Sequence, residues 1–396
     1  MEVLLLEAVH DDVRVRFEQM GWRVRSRVGS LSEEELIEEA RGVAVLGVRS
    51  RTRIGRRVLE RLGGLVAVGC FCIGTDMVDL AAADEFGVCV FNAPFASGRS
   101  VAELCLAEII CLARRVPDFI REMHGGVWRK SAEGCREIRG KTLGIVGYGN
   151  IGTQLSVLAE GLGMTVFYYD VVSKVSLGCA RAAGTLEGLL RESDFVSLHV
   201  PDDLGTRGMI GPEQIQMMKP GAMLLNASRG RVVDLVALRQ ALDSRQLAGC
   251  AIDVYPDEPA SNTSEWSSPL RGAVNTILTP HIGGSTEEAQ RAIGLDVSSK
   301  IIKFLTEGAT IGSVNFPSIS LPSPPMFRIL HVHQNVPGVL KKLMSILEST
   351  NISGQTLGTR GRLGVCLLDT NDPLTLTQEQ TIRQMAETVR LVRVTH

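Results

Sequence analysis

KTLGIVGYGNIG, residues 141–152, constrains the fold of this chain more than any other stretch. Gly147, Gly149 and Gly152 stand in the spacing GxGxxG. Glycine is common here, with 41 residues, so the spacing alone carries little. Its surroundings carry much more. An apolar run reading as a strand precedes it, a helical pattern containing Asn150 and Ile151 follows, and the next strand-like run, TVFYYD, ends in Asp170, 18 residues past Gly152. That is the arrangement of a dinucleotide-binding turn. Gly147 permits the tight turn, Gly149 lets a pyrophosphate approach the backbone, and Gly152 lets helix and strand pack closely. The helix start offers free N–H groups and the positive end of its dipole to phosphate. Asp170 can accept from ribose hydroxyls and repels a 2′-phosphate. Val171 and Val172 follow it where a 2′-phosphate would call for arginine, so the expected cofactor is NAD.

A chain of 396 residues has room for two or three domains. Apolar runs at 3–8, 43–48, 65–70, 87–91, 142–149, 165–170, 194–200, 222–228, 249–254 and 276–281 read as strands alternating with helical patterns. Runs this apolar suit parallel strands covered on both faces, which predicts a doubly wound α/β fold. Ser100 with Glu103 and Ser285 with Glu288 read as helix-starting capping boxes. At SISLPSPPMF (318–327) the alternation stops, and Pro322, Pro324 and Pro325 predict a stiff linker. The remaining 70 or so residues read as strand, helix, strand, helix, strand, a small α+β module. Net charge is −2, which favours neither nucleic acid nor membrane. No apolar run is long enough to span a bilayer, and the start MEVLLLEAV reads as a buried strand. Nine cysteines without a CxxC pair predict reduced packing residues in a cytoplasmic protein, with no metal site.

Three later strand ends carry polar groups: NASRG (226–230), AIDVYPDEP (251–259) and TPHIGG (279–284). Ligands of an open α/β sheet bind beyond the carboxyl ends of its strands, so Arg229, Asp253, Glu258 and His281 are expected to converge there. An arginine, a carboxylate and a histidine after a dinucleotide turn suit the oxidation of a 2-hydroxy acid. A further feature is GVRSRTRIGRR (47–57), with five arginines in nine positions. Arg49, Ser50 and Arg51 follow an apolar strand directly; Arg53, Arg56 and Arg57 read as a solvated helix face.

These motifs, together with GCFCIGTDMVDL (69–80), FNAPF (91–95), SVAEL (100–104) and GVWRK (126–130), resemble the D-isomer-specific 2-hydroxyacid dehydrogenases over essentially the whole length. The resemblance implies two Rossmann-like doubly wound domains plus a small ACT-like module of ferredoxin type. It divides them as a discontinuous substrate-binding domain (1–96 with 285–320), an NAD-binding domain (97–284) and a regulatory domain (326–396). It implies that Arg229 binds the substrate carboxylate, that His281 is the acid/base, and that Glu258 orients it. To the cofactor it assigns Gly147, Gly149, Asn150, Ile151, Gly152, Asp170, His199, Val200, Pro201, Ala227, Ser228, Arg229, Asp253, His281, Gly283 and Gly284. To the substrate it assigns Arg49, Ser50, Arg51, Lys130, Arg229 and His281. The arginine loop and Lys130 point to a phosphate, hence to 3-phosphoglycerate, with 2-oxoglutarate as a side substrate. HVHQNVPGVL (331–340) resembles modules that bind L-serine, which makes His333, Asn335 and Asn351 the expected effector contacts and a homo-oligomer, a tetramer, the expected assembly. Ser97 and Gly98 depart from the family pattern at a position near substrate. Two other readings stand beside this one: another substrate such as hydroxypyruvate or glyoxylate, and an NAD-sensing corepressor of the same fold.

Overall fold

The computed structural model describes residues 1–259, 263–322 and 327–394; Pro324 and Pro325 of the expected linker lie outside the described residues. Two compact units emerge: Met1–Ala96 with Gln290–His396, and Ser97–Ala289.

The first unit holds a five-stranded parallel sheet of β1 (Glu2–Leu5), β2 (Arg23–Ser26), β3 (Val45–Val48), β4 (Ala67–Cys70) and β5 (Cys89–Asn92), in the order β2-β1-β3-β4-β5. Every residue of β3 and β4 is buried, as the apolar runs require. The long helix Glu287–Glu307 covers one face of this sheet. Val297 and Ile301 lie so close to Gly69 that a Cβ there would meet them at 2.9 and 2.8 Å. The second unit holds β6 (Thr142–Val146), β7 (Thr165–Tyr169), β8 (Arg181–Ala182), β9 (Phe195–Leu198), β10 (Ala222–Asn226), β11 (Leu247–Ile252) and β12 (Thr276–Leu278). Their order is β12-β11-β10-β9-β6-β7-β8, all parallel. The chain runs from β6 outward to β7 and β8, then crosses to the other side of β6 to continue at β9. Strand order therefore reverses between β6 and β9, and a doubly wound sheet opens a crevice at such a point.

All ten strands read from the apolar runs are present. The two that escaped, β2 and β8, are edge strands with exposed arginines, so they lack the two buried faces that make an apolar run. Helix starts also differ from the sequence reading. Ser100 lies inside the helix Gly98–Ala113, whose N-cap is Ser97, and Glu103 instead pairs with Arg99 at 2.6 Å. Thr286 rather than Ser285 caps the long helix, accepting from Ala289 N at 3.2 Å. Capping boxes form at Ser32 with Glu35 and at Thr375 with Gln378.

The C-terminal module has four strands, not three: β13 (Phe327–Gln334), β14 (Ile352–Arg360), β15 (Leu363–Thr370) and β16 (Thr388–Val394), antiparallel in the order β14-β15-β13-β16. Helices Val339–Ile346 and Leu376–Gln384 complete a βαββαβ pattern. The missed strand, ISGQTLGTR, is again an edge, half-buried on alternate residues and poor in apolar side chains. Arg328 lies fully buried on β13 and holds Asp369 of β15 through two parallel bonds of 2.6 and 2.8 Å. Its remaining donors reach Glu307 O (2.8 Å) at the end of the long helix and Pro322 O (2.9 Å). Arg390 of β16 donates to Phe86 O at 2.9 Å. The module is thus stitched to the five-stranded domain by guanidinium groups satisfied by backbone carbonyls. No helix among the described residues is long and apolar enough to cross a membrane. Asp369→Ala leaves the Arg328 charge buried and unpaired and is expected to destabilise the protein by roughly 3–5 kcal/mol. Denaturant unfolding checks this, and a loss below about 1 kcal/mol would show that water reaches the arginine.

Candidate active site

The dinucleotide turn is assembled at the switch in strand order. Gly147 has φ +92°, and a Cβ there would stand 2.4 Å from His199 O at the end of β9. A Cβ on Gly152 would meet Gly147 O at 2.4 Å and Ile145 at 2.9 Å. Gly149 behaves differently: nothing lies within 4 Å of its missing Cβ. It caps the helix Asn150–Gly161, and among the described residues no side chain bonds to the first-turn amides. Open space, bare amides and the positive end of a helix together fit a pyrophosphate. Asp170, just past β7, accepts from Tyr148 N (2.9 Å) and Val172 N (3.0 Å), which fixes its carboxylate beside the turn with lone pairs to spare. His199 shares a 2.9 Å hydrogen bond with Ser197 Oγ, and burial holds its pKa down at about 4, so the ring is neutral. Val200 is half-buried and Pro201 exposed directly after it.

His281 adopts φ +55°, a left-handed backbone that side-chain-bearing residues rarely take. The reason is Asp253, buried just past β11. Its Oδ1 accepts from Thr279 Oγ1 (2.5 Å) and Ile282 N (2.8 Å), its Oδ2 from Gly283 N (2.9 Å), and its backbone carbonyl from His281 N (2.8 Å). Both carboxylate oxygens of Asp253 are spent on the segment 279–283. The imidazole that emerges is half-exposed, and its Nδ1 meets Glu258 Oε2 at 2.8 Å. Glu258 is itself anchored by Tyr255 N at 3.1 Å. The Glu258 hydrogen bond raises the His281 pKa above its ordinary value, outweighing desolvation and the nearby Arg229 charge, which lower it. Burial pushes Glu258 up, but the His281 bond and charge outweigh it, and the carboxyl sits below its usual range. The carboxylate can only accept, so Nδ1 carries a proton and Nε2 is the nitrogen left for chemistry.

The loop after β10 carries Arg229. Asn226 organises it: Oδ1 accepts from Ser228 N (3.1 Å) and Ser228 Oγ (2.7 Å), and Nδ2 donates to Arg229 O (3.0 Å). Ser228 is buried and Ala227 half-buried. Arg229 Nη1 donates to Ser228 O at 2.8 Å, and its charge is felt by both Glu258 and His281. The loop lies directly against the segment past β11: a Cβ on Gly230 would stand 1.9 Å from Tyr255 C. Arg229, Glu258, His281 and Asp253 are therefore gathered at adjacent strand ends of one sheet.

Other residues read from the sequence lie elsewhere. Arg49, Ser50 and Arg51 follow β3 in the first unit. Lys130 is exposed in the second. Arg56 pairs with Glu85, and Arg57 with Glu33 and Glu34, on a solvated face. His333 is buried in β13, and a Cβ on Gly364 would stand 2.2 Å from its ring. Asn335 and Asn351 are exposed. Gly98 lies against the start of the dinucleotide helix: a Cβ there would be 2.0 Å from Asn150 Oδ1, so the Asn150 side chain would have to turn away. Sequence reasoning did not single out Asn226, Gly230 or Glu108. Glu108 is buried on the helix Gly98–Ala113, where burial and then the Asp253 charge push its pKa up to about 8. It is mostly protonated at neutral pH and so adds little charge beside Asp253. Gly230→Ala is expected to displace Arg229 and lower kcat/KM at least about 10²-fold, the scale of an ångström-sized misplacement, with NADH affinity retained. Steady-state kinetics with a fluorescence titration of NADH check this; unchanged kcat/KM would mean that the loop accommodates a methyl group.

Comparison with known proteins agrees with this geometry. The NAD-binding domain of the D-isomer-specific 2-hydroxyacid dehydrogenases matches residues 106–283. D-3-phosphoglycerate dehydrogenase of Dictyostelium discoideum is 52% identical over 370 residues, covering 93% of this chain and 91% of that one. The Escherichia coli K12 enzyme of the same name is 48% identical over 372 residues, with 93% and 91% covered. Among solved structures, D-lactate dehydrogenase of Aquifex aeolicus complexed with NAD and lactic acid superposes with a TM-score of 0.69 at 27% identity, covering 80% of this chain and 100% of that one. NAD is accordingly the cofactor. With its dinucleotide turn, its arginine and its carboxylate-held histidine on one sheet, the chain belongs to the D-isomer-specific 2-hydroxyacid dehydrogenases, among the D-3-phosphoglycerate dehydrogenases.

Proposed function

We propose that this chain oxidises D-3-phosphoglycerate to 3-phosphohydroxypyruvate, the entry step of phosphorylated L-serine synthesis, in the cytoplasm. The observation that carries the reading is the 2.8 Å contact of His281 Nδ1 with Glu258, beside Arg229 and on the sheet that carries the dinucleotide turn. Bound NAD supplies the acceptor for the hydride that leaves C2 of the substrate. The protein supplies the rest. Arg229 presents a planar fork that binds the substrate carboxylate bidentately and fixes which face of C2 is offered. His281 Nε2 takes the hydroxyl proton as the C2–O bond becomes a carbonyl. Glu258 keeps the ring in the tautomer with Nε2 free, then stabilises the imidazolium that forms. Arg49, Ser50, Arg51 and Lys130 are assigned to the phosphate, a role also open to the distal carboxylate of 2-oxoglutarate.

His281→Ala is expected to lower kcat by about 10²–10⁴ with little change in NADH affinity. Glu258→Gln gives a more specific signature. Reduction of the keto acid needs protonated His281, so its kcat/KM holds below the raised pKa and falls as pH rises through it. Without the bond that raises that pKa, the fall moves to lower pH; the acid limb of the oxidation moves the same way. A pH profile of Glu258→Gln that overlays the wild type would remove Glu258 from this role.

The C-terminal module is proposed to be an ACT domain that binds L-serine and joins copies of the chain into a tetramer. Support comes from the βαββαβ pattern, from the exposed edge strand β14, and from Asn335, exposed and oriented by its bond to Gly361 O at 3.1 Å. Serine must bind one quaternary arrangement better than another to inhibit. Inhibition by L-serine that disappears in Asn335→Ala with basal turnover retained is the expected result. Calorimetry showing no serine uptake by the wild type would leave the module an assembly device.

A further inference from the structure

The five-stranded domain contains a buried carboxylate that the chemistry above does not use. Glu7 lies just past the carboxyl end of β1 and is 7% exposed. Its carboxylate accepts three backbone N–H groups in a row: Ser50 (2.9 Å) and Arg51 (3.0 Å) on Oε2, and Thr52 (2.6 Å) on Oε1. Glu7 and Ala8 both take left-handed backbone conformations, with φ +63° and +52°. Two consecutive residues with side chains in that region are unfavourable, and such strain persists only where surrounding bonds dictate it.

The same loop is tied down from other sides. Cys72 Sγ donates to Arg49 O at 3.2 Å, Leu31 N donates to Thr52 Oγ1 at 3.4 Å, and Ile54 N donates to Met77 O at 2.8 Å. Every backbone step from Arg49 to Ile54 is thus anchored except at Arg53. The side chains behave in the opposite way. Among the described residues, the guanidinium groups of Arg49 and Arg51 have no hydrogen bond or ion pair, while Arg56 and Arg57, a few residues on, are fully engaged with carboxylates. A rigid backbone carrying two uncommitted cations is preorganised for an anion that comes from outside. Three amides converging on one point would themselves bind an anion. Glu7 fills that cradle from within. The incoming anion is left to the guanidinium forks.

We propose that Glu7 is the positioning residue of the arginine loop: by occupying the amides of Ser50, Arg51 and Thr52 it fixes the backbone from which Arg49 and Arg51 take the substrate phosphate. This rests on the reading that the loop binds phosphate. Glu7 touches no substrate and acts only through that loop.

The test uses Glu7→Gln, Arg51→Ala and the double variant in the full-length protein, assayed with NADH against 3-phosphohydroxypyruvate and against hydroxypyruvate, which lacks the phosphate. Glutamine keeps the size of the side chain but turns an N–H₂ toward donors. Glu7→Gln is expected to raise KM for the phosphorylated substrate about tenfold to a hundredfold, as a displaced binding group does. Its kcat is expected to stay within about threefold, and its KM for hydroxypyruvate within about twofold. In the Arg51→Ala background the effect of Glu7→Gln shrinks, because two residues acting through one contact do not add. Equal KM increases for both substrates in Glu7→Gln, or independent effects in the double variant, overturn the proposal. Arg51→Ala reports on the underlying reading separately: equal effects on both substrates there overturn the phosphate assignment, and the role of Glu7 with it. Should Glu7→Gln fail to fold, Glu7→Asp keeps the charge one methylene short and carries the same comparison.

Discussion

The carboxylate of Asp253 accepts three hydrogen bonds from the segment that carries His281, and its carbonyl accepts a fourth. The left-handed turn at His281 costs about 1–3 kcal/mol. Hydrogen bonds to a charged acceptor contribute about 1.5–3 kcal/mol each, so the clamp outweighs the strain it imposes. The outcome is directional. With the backbone turned this way, the ring points its Nδ1 at Glu258 and leaves the other nitrogen free. Relaxed to an extended backbone, the same ring would lose that partner. Asp253, expected beside the nicotinamide, also shapes the His281 loop through both its oxygens.

Around this clamp the site repeats one device: a polar strand end held by backbone bonds, with a glycine where two strand ends press together. Gly230 lets the Arg229 loop lie on Tyr255, and Gly147 lets the dinucleotide turn lie on His199. Glu108 beneath them stays mostly neutral, which spares Asp253 a second negative charge in the same buried space. Parallel strands end at one edge of the sheet, so residues from 147 to 281 reach one place without any long excursion of the chain.

Much of this was legible in the sequence, for identifiable reasons. Apolar runs announce most strands, and all ten so read are present, the edge strands β5 and β12 among them. The edges β2, β8 and β14 passed unnoticed because RVRS, RA and ISGQTLGTR look like surface. The dinucleotide turn was readable because its glycines answer to sterics that are local in sequence. Arg229, Glu258 and His281 were readable from strand ends and from family resemblance. Gly230, Asn226 and Glu7 were not, because what each does is defined by backbone groups distant in the chain or by a loop that looks generic. The helix start at Ser97 was misread at Ser100 because Ser100 with Glu103 has the capping-box spacing, whereas Ser97 caps without a side-chain bond.

The contact between Gly98 and Asn150 links positions 52 residues apart in the chain. A side chain at 98 would meet the Asn150 amide oxygen, so Asn150, the first residue of the dinucleotide helix, would have to turn to another rotamer. A change at 98 is thereby felt at the start of the helix that faces the pyrophosphate.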